Sequence, residues 1–216
     1  MNDYVKQLQG LDRLSGDRIR AGLGAKRCFD VAVALFLLGP LAVCYVTLAI
    51  LNPFLNPGPV LFRHERMGEG CGSFVALKFR TMRTGGGGNA QKRGAFDPLE
   101  RGRVTSFGNF LRRSRIDELP QIINVLRAEM SMIGPRPDAY AHAQIYLREI
   151  PAYALRCRLR PGISGYAQTE VGYVDDRAGL EKKVAADIHY LVHRSFRFDL
   201  WIVWRTVVVI LRRDGR

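Results

Sequence analysis

Residues 31–51 read VAVALFLLGPLAVCYVTLAIL, an apolar run without a single charge and with Gly39-Pro40 near its centre. Its length is close to the roughly 20 residues an α-helix needs to cross bilayer hydrocarbon. A helix in a soluble core rarely stays apolar on every side for so long. Pro40 removes a backbone donor and crowds the preceding turn, so a kink or break is expected there. Lys26 and Arg27 precede the run, and Arg63, His64 and Arg66 follow it. Basic residues concentrate on the cytoplasmic side of a membrane, so a spanning helix would leave one flank misplaced. A re-entrant helix-break-helix that enters one leaflet and returns satisfies both flanks; a spanning helix is the alternative. The chain then divides into a polar N-terminal segment 1–25, a re-entrant membrane helix 26–56 and a cytosolic or interfacial domain 57–216.

A second apolar stretch, residues 200–211 (LWIVWRTVVVIL), is too short to span and carries Arg205 in its middle. Trp201 and Trp204 suit the headgroup region, which fits an interfacial amphipathic helix; a core helix or strand is the alternative. Arg212, Arg213 and Arg216 follow and suit an anionic surface. The 216 residues support one domain with a real core. A formal net charge of +13 points to polyanionic partners, whether nucleic acid, anionic headgroups or phosphorylated substrates. The 47% hydrophobic content excludes a disordered basic tail. Cys28, Cys44, Cys71 and Cys157 are scattered without metal-ligand or disulfide-framework spacing and read as reduced thiols.

Between the apolar regions, residues 59–82 read as a hairpin. Val75, Leu77 and Phe79 alternate with Ala76, Lys78 and Arg80, the period-two pattern of a half-buried strand. Gly68, Gly70 and Gly72 supply the turn, and their spacing is not that of a dinucleotide fingerprint. Residues 84–89, with Gly85–Gly88 in succession, read as a mobile connection. A helix is expected from Pro120 to about Met130, a turn over Ser131–Pro137, another around Arg160–Gly165, and a helix from about Leu180 to His193. His189 and His193 have the spacing of some metal pairs, but no third ligand accompanies them, so a solvated face is expected. The fold class is mainly α with a small β-hairpin, held at a membrane from one side.

The chemistry concentrates in residues 112–137, RRSRIDELPQIINVLRAEMSMIGPRP. Asp117 and Glu118 form an adjacent carboxylate pair just before a helix start, beside Arg112, Arg113 and Arg115, with Arg136 fixed between two prolines. Arginines hold phosphate oxygens, while carboxylates hold a hard divalent cation or attack phosphorus. The alternative is that the two acids merely complement the helix dipole and pair with nearby arginines.

Six segments in register, KRCFD at 26–30, PGPVLFRHERMG at 57–68, KFRTM at 78–82, RVTSFGNFLRRSRIDELPQIINVL at 103–126, MSMIGPRP at 130–137 and RPGISGYAQ at 160–168, resemble the bacterial sugar transferases. These are small monotopic polyprenol-phosphate phosphoglycosyl transferases, and the resemblance runs from Lys26 to the C-terminus in the minimal, one-domain form. It implies that domain 57–216 is catalytic and moves hexose 1-phosphate from a UDP-sugar to undecaprenyl phosphate, releasing UMP, in surface glycan or exopolysaccharide assembly. It implies Asp117 as nucleophile through a covalent phosphosugar intermediate, Glu118 as the acid that binds Mg²⁺, and Arg112 as a phosphate holder. Arg136 is another such candidate, and Lys78 and Arg80 are further ones that a headgroup-facing basic strand would explain as well. Tyr166 and Gln168 fall in the nucleotide-sugar region, and Pro40 stands where the family breaks its membrane helix. The implied location is the cytoplasmic face of the bacterial inner membrane, with membrane lipid as a partner and no nucleic acid; homo-oligomerisation stays open. Ala128-Glu129 stands where many relatives have Gly-Asp, and Tyr166 where many have Trp, followed by Thr169-Glu170-Val171 in place of Asn-Gly. A non-enzymatic basic protein binding anionic lipid or nucleic acid is the competing class.

Overall fold

The computed structural model describes residues 23–83, 101–172 and 176–211. The glycine-rich connection at 84–89, most of segment 1–25 and the terminal arginines lie outside the described residues.

Helix α1 (Leu23–Leu55) takes up the whole apolar run as one element of 33 residues, about 50 Å long if straight. Gly39-Pro40, where a kink or break is expected, lies within this helix, as does Pro53. A proline costs the ladder one hydrogen bond while the turns on either side keep theirs, so a helix can carry it by bending. The buried positions of α1 form a stripe of Asp30, Ala34, Leu41, Leu48 and Asn52, continued by Asn56 just past its end. Leu35, Phe36, Val43, Val46, Ile50 and Phe54 are exposed, leaving a long apolar face without protein cover.

Polar residues at both ends of α1 tie it to one body. Lys26 pairs with Asp199 at 2.8 Å, Arg27 donates to the Val125 and Leu126 carbonyls, and Asp30 accepts from the Met132 N–H at 3.0 Å. At the far end Asn52 donates to the Gly58 carbonyl and Asn56 to the Arg80 carbonyl.

Strands β1 (Leu61–Met67) and β2 (Ser73–Phe79) pair antiparallel from Leu61↔Phe79 to Met67↔Ser73. The expected glycine turn joins them, with Gly70 at φ +67°. This register puts Phe62, His64 and Arg66 on the same face as Phe74, Ala76 and Lys78. Leu77 and Phe79 are buried as the alternation predicts, but Val75 is 46% exposed and Ala76, on the opposite face, is buried. The opposite face is covered because the next elements pack across it.

Those elements begin with α2 (Ser106–Arg113), capped by Thr105, whose hydroxyl accepts from the Gly108 N–H at 2.9 Å. Gly108 lies so close to the hairpin's exit that a Cβ there would stand 2.0 Å from the Thr81 carbonyl oxygen. A 3₁₀ turn (Ile116–Glu118) and α3 (Gln121–Leu126) follow, with Pro120 at φ −60° opening the helix. Helix α3 stops at Leu126 rather than near Met130, because Ala128 takes a left-handed conformation (φ +63°) and the Asn124 carbonyl accepts from Glu129 and Met130. Glycine adopts such a conformation freely, whereas alanine takes it at a cost.

The two expected turns are in part a sheet: β3 (Ser131–Ile133) and β4 (Gly162–Ser164) pair in parallel. Three-residue strands are too short for a period-two signal, and Gly162 permits the approach, since a Cβ there would sit 2.1 Å from the Gly134 nitrogen. Helices α4 (Tyr140–Glu149), α5 (Tyr153–Arg156), α6 (Tyr166–Glu170) and α7 (Arg177–His193) complete the body with α8 (Phe196–Leu211). Asp176 caps α7, which starts three residues before the expected Leu180. Helix α8 answers both readings of the C-terminal stretch: Asp199 and Ile202 are buried, while Phe196, Leu200, Trp201, Trp204 and Val207 face outward. All four cysteines are free thiols.

Asn124, fully buried in α3, holds the hairpin edge-on: its Oδ1 accepts from the Leu77 N–H (3.0 Å), and its Nδ2 donates to the Val75 carbonyl and Glu129, both at 2.7 Å. Asn124→Ala strands those backbone groups and should destabilise the fold by about 2–4 kcal/mol. Thermal unfolding of the detergent-solubilised chain checks this; an unchanged midpoint would show that the hairpin needs no such tether.

Candidate active site

The 3₁₀ turn at 116–118 exists because Arg115 adopts a left-handed backbone (φ +58°) at its N-cap, a conformation that costs a non-glycine residue about 1–3 kcal/mol. It swings both acids inward: Asp117 is 7% and Glu118 6% exposed.

Their surroundings differ sharply. Glu118 Oε1 accepts from Lys78 Nζ at 2.8 Å and also from Arg136 Nη2, while Oε2 accepts from Arg136 Nη1 at 3.1 Å. Arg115 stands 3.9 Å from Oε2. Burial alone would favour the protonated acid, but Arg136 and Lys78 outweigh it and hold Glu118 well below the usual carboxylate range. Asp117 makes no hydrogen bond or ion pair among the described residues. Burial, and next the Glu118 charge, raise its pKa; Lys78, Arg136 and Arg112 act in the opposite direction. One acid is a partnered anion and its neighbour an unpartnered one.

Lys78 is pushed down to about 8, by burial first and then, against the pull of Glu118, by Arg136 and Arg66. Arg66 lies on the same hairpin face and is pushed down to about 10, chiefly by burial and the Arg136 charge. His64 on that face is lowered to about 4 by burial, Arg66 and Lys78, so its imidazole is neutral at physiological pH. Arg112 is oriented by its Nε bond to the Thr81 hydroxyl at 2.8 Å. Lys78, Arg136, Arg66, Arg112 and Arg115 thus face two carboxylates. The excess positive charge suits an incoming phosphate or diphosphate.

Of the residues singled out from sequence, Asp117, Glu118, Lys78, Arg136 and Arg112 gather in this cluster. Arg80 does not join it: its guanidinium donates to the Pro59, Met82 and Asn56 carbonyls and locks the hairpin to the end of α1. Lys78 and Arg80 share a strand face by parity, but β2 ends at Phe79, so the parity no longer governs Arg80. Tyr166 and Gln168 lie on α6. Tyr166 stacks on His189 (5.3 Å) and packs against Phe198 and Trp201, and Gln168 Oε1 is buried without a partner. Their link to the cluster is the backbone: Gly165, which precedes α6, abuts the Gly134 carbonyl two residues before Arg136. His189 and His193 stack on each other at 4.1 Å, and no group of three metal-ligating side chains forms among the described residues. Pro40 lies within α1.

The sequence reading treated Arg66 only as a basic flank. Its parity with Lys78 across the hairpin could have identified it. Arg156 and Asp138, which lie behind Arg136, carried no local signal.

Among the described residues no three His, Cys, Asp or Glu side chains come together, so there is no all-protein cation cage. Mg²⁺ characteristically uses one or two carboxylates plus substrate phosphates and water. Glu118, with lone pairs left over from its bonds to Lys78 and Arg136, fits that sharing.

The sequence pattern described as bacterial sugar transferase matches residues 21–213. A UDP-glucose:undecaprenyl-phosphate glucose-1-phosphate transferase of Caulobacter vibrioides is 42% identical over 194 residues, covering 88% of this chain and 71% of that protein. A UDP-N-acetylgalactosamine-undecaprenyl-phosphate N-acetylgalactosaminephosphotransferase of Aeromonas hydrophila is 38% identical over 88% of this chain and 44% of its own length. An exopolysaccharide production protein of Rhizobium leguminosarum is 37% identical over 87% of this chain and 96% of its own length. The chain therefore spans less than half of the Aeromonas protein and nearly all of the Rhizobium one.

Because Lys78 loses its proton near pH 8, its contribution to anion binding should be full below that pH and lost above it. Inorganic pyrophosphate affinity, measured by calorimetry at constant ionic strength, should weaken on the alkaline side with a midpoint near 8. Lys78→Arg should move that decline beyond the accessible range; an identical profile in the variant would assign the titration to another group.

Proposed function

The chain belongs to the bacterial sugar transferase family, and we propose that it transfers hexose 1-phosphate from a UDP-sugar to undecaprenyl phosphate through Asp117. The observation that carries this reading is the unequal pair of acids: Glu118 is held by Arg136 and Lys78, while Asp117, one residue away, is buried with its oxygens unpartnered.

The donor diphosphate would lie on Arg136, Lys78, Arg112 and Arg66. Asp117 attacks the β-phosphorus; an Asp117 oxygen–phosphorus bond forms, the bond from that phosphorus to the bridging oxygen breaks, and UMP leaves with that oxygen and its electron pair. The phosphate oxygen of undecaprenyl phosphate then attacks the same phosphorus and displaces the aspartate. Splitting one displacement into two lets donor and acceptor use a single site in turn. Mg²⁺, held by Glu118 together with the diphosphate, would neutralise charge on the leaving phosphate. A surface that only bound anionic lipid or nucleic acid would have no use for an unpaired buried carboxylate, since burial without a partner destabilises it.

The membrane arrangement supports the same reading. Lys26, Arg27 and Asp30 at one end of α1, and Asn56 just past the other, bond to one polar body. Spanning would separate two such ends by about 30 Å of hydrocarbon. We read α1 as re-entrant, bent at Pro40, entering from the cytoplasmic face of the inner membrane. The outward residues of α8 and the exposed Phe110 of α2 rest in the headgroup region. Such a mount holds Asp117 where a cytosolic sugar nucleotide and a lipid phosphate both reach it. Relatives named as a glucose-1-phosphate transferase, an N-acetylgalactosaminephosphotransferase and an exopolysaccharide production protein support a UDP-hexose donor and a role in exopolysaccharide assembly.

Asp117→Asn keeps the shape and removes the attacking charge. Its release of UMP from UDP-glucose with undecaprenyl phosphate and Mg²⁺ should fall at least about a thousandfold, and intact-mass spectrometry with donor alone should show no phosphohexose adduct, while membrane association persists. Undiminished turnover in that variant would remove Asp117 as nucleophile. Cysteine tags before residue 26 and after residue 211 should both be labelled from the cytoplasmic side; labelling from opposite sides would mean that α1 spans.

A further inference from the structure

The backbone around Arg136 is gripped at every carbonyl. Pro135 O accepts from the Gly162 N–H at 3.0 Å, Arg136 O from the Arg156 guanidinium at 2.6 Å, Pro137 O from Arg66 at 3.1 Å and Asp138 O from the Met67 N–H at 3.0 Å. Arg156, 4% exposed, commits its whole guanidinium to this region. Nε and Nη2 each lie 2.8 Å from Asp187 Oδ2, and Nη1 donates to Asp138 and, at 3.0 Å, to the Tyr153 hydroxyl. Tyr153 donates to Asp138 at 2.7 Å, and Lys183 completes the set on the other Asp138 oxygen.

Two cations and two carboxylates buried together are a poor source of stability. Desolvation takes several kcal/mol per ion, and apolar packing of similar volume does as well. The arrangement therefore calls for a reason other than stability. The one bond from Arg156 to a group that is neither charged nor a side chain goes to the main chain of Arg136. The cavity behind that turn, lined by Arg136, Asp138, Tyr153 and Arg156 among others, is about 10 Å³, too small for a ligand and about right for one water. The network is packed as a support.

We propose that Arg156 is a positioning residue for the reaction: by holding the Arg136 carbonyl, in register with Asp138 and Asp187, it aims the Arg136 guanidinium at Glu118 and the donor diphosphate. This rests on reading Arg136 as a phosphate holder. A displacement of about 1 Å at such a group can cost about a hundredfold in rate. Lysine at position 156 would keep the charge but lose the fork that reaches carbonyl and carboxylates together.

A double-mutant cycle on the full chain, with UDP-glucose and undecaprenyl phosphate as probes and kcat/KM for UMP release as readout, decides it. Arg136→Lys should lower kcat/KM about a hundredfold and Arg156→Lys about thirtyfold. The double variant should lie within about threefold of Arg136→Lys alone, because support is redundant once the supported group is gone. Losses that multiply towards about three-thousandfold would mean that Arg156 acts independently of Arg136 and would overturn the proposal. Wild-type kcat/KM in Arg156→Lys would overturn the proposal outright. Wild-type activity in Arg136→Lys would instead remove the phosphate-holding reading on which it rests. Should Arg156→Lys fail to fold, Asp187→Asn, which removes the charge anchoring Nε and Nη2, enters the same cycle under the same criteria.

Discussion

The ion pair between Glu118 and Arg136, reinforced by Lys78, is the interaction on which the rest of the site depends. It joins three elements far apart in sequence: the 3₁₀ turn before α3, the Pro-Arg-Pro turn after β3, and strand β2. A buried ion pair contributes little net stability, yet losing one partner leaves an uncompensated charge and costs several kcal/mol. The three side chains therefore come as a unit. Their presence also sets the chemistry of the neighbouring acid: with both near cations engaged by Glu118, Asp117 receives their field but none of their hydrogen bonds.

Around this centre, the structure solves two mechanical problems with backbone rather than side chains. The acids turn inward only because Arg115 accepts a left-handed conformation, and α3 ends where β3 must begin only because Ala128 does the same. Close backbone approaches do the rest: Gly108 on Thr81, and Gly134 against Gly162 and Gly165. Through these approaches Arg112, Arg136 and α6 come within reach of one site although each is carried by a different short element. Helix α1 then carries the assembly, bonded to it at both ends by Lys26, Arg27, Asp30 and Asn56.

Much of this was legible in the sequence because the signals were local. The apolar run, the period-two hairpin, the Pro120 helix start and the pairing of Asp117 with Glu118 depend on neighbours within a few residues. What was not legible is long-range. Strands β3 and β4 are three residues each and exist only because they find each other across 28 positions or more. Arg80 looked like a partner of Lys78, but its place was decided by carbonyls released at the end of α1. Arg156 is one arginine among many until the fold sets it beneath Arg136.

The same physics that raises the Asp117 pKa also bears on the intermediate in the proposed reaction. Burial and the Glu118 charge both disfavour a second carboxylate anion at this place. A proton relieves that penalty, and so does a covalent bond to phosphorus. In the phosphosugar ester the aspartate oxygens no longer carry the charge; the remaining negative charge sits on phosphoryl oxygens, directed towards Arg136, Lys78 and Arg112. A site that makes Asp117 an uncomfortable anion thus lowers the free energy of its ester relative to the free carboxylate. Glu118, stabilised as an anion by its own partners, gains nothing from attack on phosphorus, which is why two chemically similar neighbours need not compete for the same role.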